Sequence, residues 1–215
     1  MKPGLILDLD GVICDTAHFH YLAWSELAKE FGIELTEAHN DALKGVSRVD
    51  SLIYILSING TELSESEFQL SLTKKNNRYL EFVQEMGPQN LLPGVAYFFQ
   101  EAKARKLPLA LGSASKNALI VLERVGLADA FHAIVDANTV KQGKPHPETF
   151  LKAAELLGIP PTQCWVFEDS AAGIQAAISG QMKTIGIGNP ETLPNAERHI
   201  PNLGAFNFNW LPTNF

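Results

Sequence analysis

Apolar and polar positions along the 215 residues follow two rhythms. Short, nearly continuous apolar runs occur at 5–7, 107–111, 133–135, 165–167 and 183–187. Runs of this length without alternation predict strands buried on both faces of a parallel sheet. Between them the apolar residues recur at helical spacing. Leu22, Leu27, Ala28 and Phe31 predict a helix over 17–31 that stops at Gly32. Thr36 predicts the cap of a short helix carrying Ala38, Ala42 and Leu43, and Leu52, Ile53, Ile55 and Leu56 mark a third. Ser64-Glu65-Ser66-Glu67 has the form of a capping box opening a long polar helix over 65–86. Further helices are expected over 95–105, up to Val125, from Pro147 to Leu157 and over 171–179. Phe206, Phe208, Trp210 and Leu211 predict an edge strand or a packed tail.

The order of these elements matters more than any one of them. Strand–helix alternation begins, is interrupted between 13 and 90 by helices alone, and then resumes. Alternation implies an α/β fold with a Rossmann-like parallel sheet and right-handed crossovers. The interruption implies an inserted all-helical cap domain, residues 15–92, on a core of residues 1–14 plus 93–215. No repeat or low-complexity segment disturbs this division.

Composition narrows the class. Hydrophobic residues make up 46% and charged residues 19% of the chain, as in globular proteins with a full core. A net charge of −7 disfavours nucleic acid or an anionic membrane as partner. No apolar run approaches the ~20 residues of a membrane span, and residues 1–4 show no secretory pattern. Cys14 and Cys164 read as free buried thiols, consistent with a reducing compartment. A cytoplasmic protein is the expectation, working as a monomer on small molecules.

The chemistry gathers where predicted strands end, which is where open parallel sheets bind ligands. Leu5-Ile6-Leu7 runs into Asp8-Leu9-Asp10-Gly11. Alone this is as readily an acidic turn as a site. Two carboxylates so close repel, and a hard divalent cation with oxygen ligands, Mg²⁺, would relieve them. The second strand ends at Gly112-Ser113-Ala114-Ser115-Lys116-Asn117, either an ordinary Ser cap or an anion site at a helix start. Lys144-Pro145 follows the third strand; an isolated loop lysine is ordinarily just solvated. Glu168-Asp169 follows the fourth, either favourable charge at a helix start or more metal ligands. Together these parts specify phosphoryl transfer. A carboxylate attacks, Ser113 and backbone amides hold phosphoryl oxygens, and Lys144 with a cation offsets the charge. No Gly-x-x-x-x-Gly-Lys-Ser/Thr loop supports a nucleotide site.

These four segments, in this order, resemble the motifs of the haloacid dehalogenase superfamily across the whole core. The resemblance implies Asp8 as nucleophile, Asp10 as general acid/base whose backbone carbonyl also binds Mg²⁺, Asp169 as metal ligand, and Glu168 holding the metal directly or through water. One Mg²⁺ per chain is implied. A nearer resemblance, to the β-phosphoglucomutase family within it, runs through the helical block. It is carried by Asp15-Thr16-Ala17, His20, Trp24, the loop Lys44-Gly45-Val46-Ser47-Arg48, Lys75-Asn76 and the segment 113–117. It implies that Arg48 grips the distal phosphate and that Gly45, Val46 and Ser47 contact sugar or phosphate. His20 and Lys75 would orient Asp10 and the cap, and Ser115, Lys116 and Asn117 would touch the sugar phosphate. Thr16, Trp24 and Ala114 complete the implied substrate set. Plainer readings stand beside these: a surface His20, a packing Trp24, a solvated Lys74-Lys75 face, and Arg48 as a helix cap. Leu7, Gln142-Gly143 and His146 depart from the familiar patterns. The implied reaction interconverts β-D-glucose 1-phosphate and D-glucose 6-phosphate; the alternatives are a sugar-phosphate phosphatase and a non-catalytic phosphosugar-binding regulator.

Overall fold

The computed structural model describes residues 2–43 and 46–212. Its centre is a parallel sheet of β1 (Gly4–Leu7), β2 (Leu109–Gly112), β3 (Ala133–Val135), β4 (Cys164–Glu168), β5 (Lys183–Ile187) and β6 (Arg198–Ile200), in the order β3-β2-β1-β4-β5-β6. The first strand lies at the middle: Leu7 pairs with Leu111 on one side and Phe167 on the other. Strand order therefore reverses beside β1, which opens a crevice at its carboxyl end.

Period-two alternation sends neighbouring side chains to opposite faces. Leu5, Leu7 and Phe167 join one buried layer with Phe98, Phe206 and Phe208. Ile6 and Val166 join the other with Ala110, Phe150 and Ala177. The tail is thus the packed segment rather than an edge strand. Phe206 and Phe208 lie in or beside short 3₁₀ turns and pack against Phe98 with ring centroids 5.6 and 5.3 Å away. The edge strand is instead Arg198–Ile200, which sequence reading missed because Arg-His-Ile offers no apolar run.

Among the described residues, four α-helices fill the interruption: α1 (Ala17–Glu30), α2 (Glu37–Leu43), α3 (Arg48–Ser57) and α4 (Glu65–Gln84). The capping box forms as expected, with Ser64 Oγ accepting from Glu67 N and Glu67 Oε2 accepting from Ser64 N. These helices have their own apolar cluster, including Trp24, Leu27, Leu43, Leu52, Ile55 and Leu72. Tyr79 and Val83 from the far end of α4 pack instead into the layer on the sheet. The chain leaves and rejoins the sheet side by side, through a bridge between Cys14 and Leu91. The remaining helices are α5 (Val95–Ala104), α6 (Ala118–Arg124), α7 (Glu148–Leu157) and α8 (Ala171–Ser179). Both cysteines are buried and free. Among the described residues no helix is long and apolar enough to cross a membrane.

Candidate active site

Asp8 is the first residue past β1, and its amide donates to Phe167 O at 3.0 Å. Because Leu7 pairs with Phe167, Asp8 and Glu168 emerge side by side from adjacent strands. Lys144, 136 residues from Asp8 in sequence, reaches in between them. Its Nζ donates to Asp8 Oδ1 at 2.5 Å and to Glu168 Oε2 at 2.7 Å, and both side chains of each pair are less than a tenth exposed. Burial alone would lower the Lys144 pKa, but the two carboxylates outweigh it and hold the ammonium charged. Glu168 has no free oxygen, since Oε1 accepts from Ser170 N at 3.0 Å and from Ser170 Oγ at 2.7 Å.

Two glycines make room for these acids. Gly11 has φ +73°, and a Cβ there would lie 1.9 Å from Asp169 Oδ2. A Cβ on Gly173, in the first turn of α8, would lie 2.0 Å from Glu168 Cδ. Gly11 was legible as a turn former. Gly173 was not, because its function is to leave space for a side chain on another element.

The acids are poorly neutralised. Asp8, Glu168 and Asp169 each offer an oxygen within 4.8 Å of the others, and the Asp10 carboxylate stands beside that triplet. Burial first, and the neighbouring acids with it, raise Asp169 well above the carboxylate range. Asp8 is pushed up to about 7 by burial, with Lys144 pulling it down and Glu168 pushing it up. Asp10 is pushed up to about 8 by burial and by Asp8, and its buried Oδ1 has no hydrogen-bond partner. Four carboxylates around one ammonium, all oxygen donors, fit a hard divalent cation, which would relieve the repulsion. Asp8, Glu168 and Asp169 are the side chains that could hold it, Glu168 while also accepting from Lys144 and Ser170.

Basic side chains meet these acids in one cavity. It is about 270 Å³ and is lined by Asp8, Asp10 and Asp169 together with His20, Arg48, Lys75 and Lys116. Lys75, whose partly solvated neighbour Lys74 pairs with Glu30, is itself buried. Its Nζ lies 2.5 Å from His20 Nδ1 and 4.7 Å from the Trp24 ring centre. His20 in turn stacks on Tyr79 at 4.0 Å. Burial, then the Arg48 charge, press the Lys75 pKa down; burial, Lys75 and Arg48 do the same to His20. Arg48 is also lowered by burial. A partly buried cluster of cations beside Asp10 is suited to receiving a phosphate.

Most of the expected residues converge here. His20, Trp24, Val46, Ser47, Arg48, Lys75, Ala114, Ser115 and Lys116 line the cavity. Trp24 belongs to the apolar cluster as well, so packing and lining coincide. Arg48 is not a loop residue; it opens α3, with Ser47 as the cap accepting from Asp50 N. Thr16, Ser113 and Asn117 are buried behind the wall. Ser113 Oγ accepts from Ser115 N at 3.0 Å, and Asn117 Nδ2 donates to Asn76 Oδ1 at 2.8 Å, tying the loop after β2 to α4. Gly45 lies outside the described residues. Sequence reading overlooked Asn40, Gln69 and Thr73, which also line the cavity, and Asn138, whose Nδ2 donates to Lys116 O at 2.9 Å. Polar residues on amphipathic helices carry no local mark of which solvent-facing side borders a cavity.

Comparison with known proteins agrees with this arrangement. The family model described as haloacid dehalogenase-like hydrolase matches residues 3–180. A β-phosphoglucomutase of Bacillus subtilis is 39% identical over 196 residues, covering 90% of this chain and 87% of its own. The fructose-1-phosphate phosphatase YqaB of Escherichia coli is 33% identical over 186 residues, covering 86% of this chain and 95% of its own. Among solved structures, a β-phosphoglucomutase from Clostridium difficile superposes with a TM-score of 0.94 at 39% identity, covering 98% of this chain and 95% of that one. With its acids at the ends of β1 and β4 and its lysine between them, the chain belongs to the haloacid dehalogenase-like hydrolase family, whose phosphotransfer and hydrolase chemistry it shares.

Proposed function

We propose that the chain is a mutase interconverting β-D-glucose 1-phosphate and D-glucose 6-phosphate. The observation that carries this reading is one cavity lined both by the carboxylates Asp8 and Asp10 and by the cations Arg48, Lys75 and Lys116. A phosphosugar could present one phosphoryl group to Asp8 while the cations bind a second. The mutase relatives at 39% identity support it.

Phosphorylated enzyme would begin the cycle. Asp10, held protonated near pH 7 by burial and by Asp8, would first lose that proton to solvent and then accept the one from the sugar hydroxyl. The sugar oxygen attacks the phosphorus, the Asp8–phosphorus bond breaks, and glucose 1,6-bisphosphate forms. The bisphosphate then turns end for end. Asp8 attacks the other phosphorus, the phosphorus–sugar bond breaks, and Asp10 returns the proton to the leaving oxygen. A bound Mg²⁺, held by Asp8, Asp169 and the Asp10 carbonyl, supplies charge neutralisation for the transferring group. Lys144 holds Asp8 oriented and offsets charge, and Ser113 supports the loop whose Ser115 and Lys116 face the substrate. The helical block 15–92 acts as the cap over the core, its adjacent crossings at Cys14 and Leu91 serving as hinge. Closure then excludes water from the phosphoenzyme.

The test is anomer-resolved product analysis by ³¹P and ¹H NMR, with Mg²⁺ and catalytic glucose 1,6-bisphosphate. The β anomer should yield glucose 6-phosphate and the α anomer should not. Stoichiometric inorganic phosphate without isomer would instead favour a sugar-phosphate phosphatase, the reading supported by the fructose-1-phosphate phosphatase relative.

A further inference from the structure

Asp136 is a buried carboxylate that takes no part in the proposed reaction. It is the first residue past β3, and the pairing of β2 with β3 sets Gly112 beside Val135. Ser113 N continues that ladder by donating to Val135 O at 2.9 Å. The parallel register therefore lays the loop after β2, residues 113–117, against the loop after β3. Both Asp136 oxygens are taken by one residue. Oδ1 accepts from Asn138 N and Oδ2 from Asn138 Nδ2, each at 2.9 Å. The same Nδ2 donates to Lys116 O, also at 2.9 Å. An amide nitrogen carries two hydrogens, and a carboxylate or carbonyl oxygen can only accept. Asp136 thus fixes which way the Asn138 amide faces and leaves its second N–H to Lys116. Ala137, between the two, lines the same cavity as Ala114, Ser115 and Lys116.

Lys116 sits between two amides that are already held: Ser115 N donates to Ser113 Oγ and Asn117 N to Ser115 Oγ. The Asn138 bond adds the Lys116 carbonyl, so the peptide is fixed from both loops. We infer that Asn138, oriented by Asp136, is a positioning residue for the phosphosugar: by holding the Lys116 carbonyl it sets the point from which the Lys116 side chain meets the cavity. A cation delivered from a fixed peptide needs less ordering when the phosphate binds, and that saving appears as affinity. The phosphoryl transfer itself takes place at Asp8 and Asp10, past β1, and does not pass through Asn138. The inference rests on β-D-glucose 1-phosphate being the substrate.

The test is steady-state turnover of β-D-glucose 1-phosphate by the full chain, with Mg²⁺ and catalytic glucose 1,6-bisphosphate, product being counted as glucose 6-phosphate plus inorganic phosphate. Asn138→Ala should raise KM about 3- to 10-fold, the loss of one hydrogen bond, with kcat within about twofold. Asn138→Asp keeps the size of the side chain but removes its N–H donors and sets a second carboxylate against Asp136, so KM should rise at least as much. Asn138 is exposed, so the urea midpoint of either variant should stay close to that of the parent. A double-mutant cycle separates positioning from mere support of the fold. In a Lys116→Ala background there is no cation left to place, and Asn138→Ala should change KM by less than about twofold. An unchanged KM in Asn138→Ala, a loss of kcat as large as the rise in KM, or the same rise with and without Lys116 overturns the inference and leaves the substrate reading standing. No product from the unaltered chain removes that reading and the inference with it.

Discussion

Gly173→Ala sets helix propensity against packing in a single methyl group. Alanine inside a helix ordinarily stabilises by about 1 kcal/mol relative to glycine. Here the new Cβ falls 2.0 Å from Glu168 Cδ and Oε2 and 2.4 Å from Cγ. A flexible surface glutamate would move aside at little cost. Glu168 is 1% exposed and is pinned by Lys144 and by both donors of Ser170. Displacing it sacrifices hydrogen bonds to a charged group, each contributing about 1.5–3 kcal/mol, and overpacks a filled interior at about 1–3 kcal/mol. The losses exceed the gain, so the variant should be less stable by about 2–4 kcal/mol, and Lys144 should lose one of its two carboxylate partners. Urea unfolding at constant m, read as a fall in the midpoint, measures the first effect. A double-mutant cycle isolates its cause. In a Glu168→Ala background the obstructing atoms are gone, and Gly173→Ala should become neutral or stabilising by up to about 1 kcal/mol. An equal cost in both backgrounds, or a Gly173→Ala protein as stable as the parent, would refute the reasoning.

Asp8→Asn should abolish turnover and hydroxylamine-sensitive phosphoenzyme while leaving the circular dichroism spectrum unchanged; full activity would displace Asp8 as nucleophile. Arg48→Ala removes a forked cation from the substrate cavity and should raise KM about 10- to 100-fold, the equivalent of a lost charged hydrogen bond, with little change in Tm; an unchanged KM would take Arg48 out of the site. Asp8 and Asp10, raised to about 7 and 8, bind protons in the folded chain that the unfolded chain releases near pH 4. The stability they confer is therefore complete below about pH 4 and is lost as pH rises through about 7 to 8. In EDTA, Tm should fall across that window relative to an Asp10→Asn protein, and saturating Mg²⁺ should flatten the difference; a Tm independent of pH and of Mg²⁺ would contradict the burial of these acids without a cation.

Much of this molecule is local. A run such as Leu5-Ile6-Leu7, a 3.6-residue rhythm or the Ser64–Glu67 box states its own element, because strand pleat, helical pitch and capping bonds involve residues within a few positions of each other. The chain itself therefore determined the five apolar strands, the helical interruption and the strand-end motifs, and the family resemblance built on those motifs is matched by the fold. Arg198–Ile200 escaped notice because an edge strand draws its stability from one neighbour, here β5, rather than from its own apolar residues. Arg48 looked like part of a loop because Ser47 as a cap differs little from Ser47 in a turn.

Only the tertiary structure decided what the motifs do to one another. Lys144 alone was a solvated loop residue; packing buried it between Asp8 and Glu168, 136 and 24 residues away. Glu168 alone was a candidate metal ligand; packing set Lys144 and Ser170 on its oxygens and brought it within reach of Asp8 and Asp169. Lys75 alone shared a polar face with Lys74; the helix turned one lysine to Glu30 and the other inward to His20. Sequence specifies which charges exist and the local geometry that carries them, whereas their energies depend on desolvation and on distances across the fold, and those are set only when the layers pack.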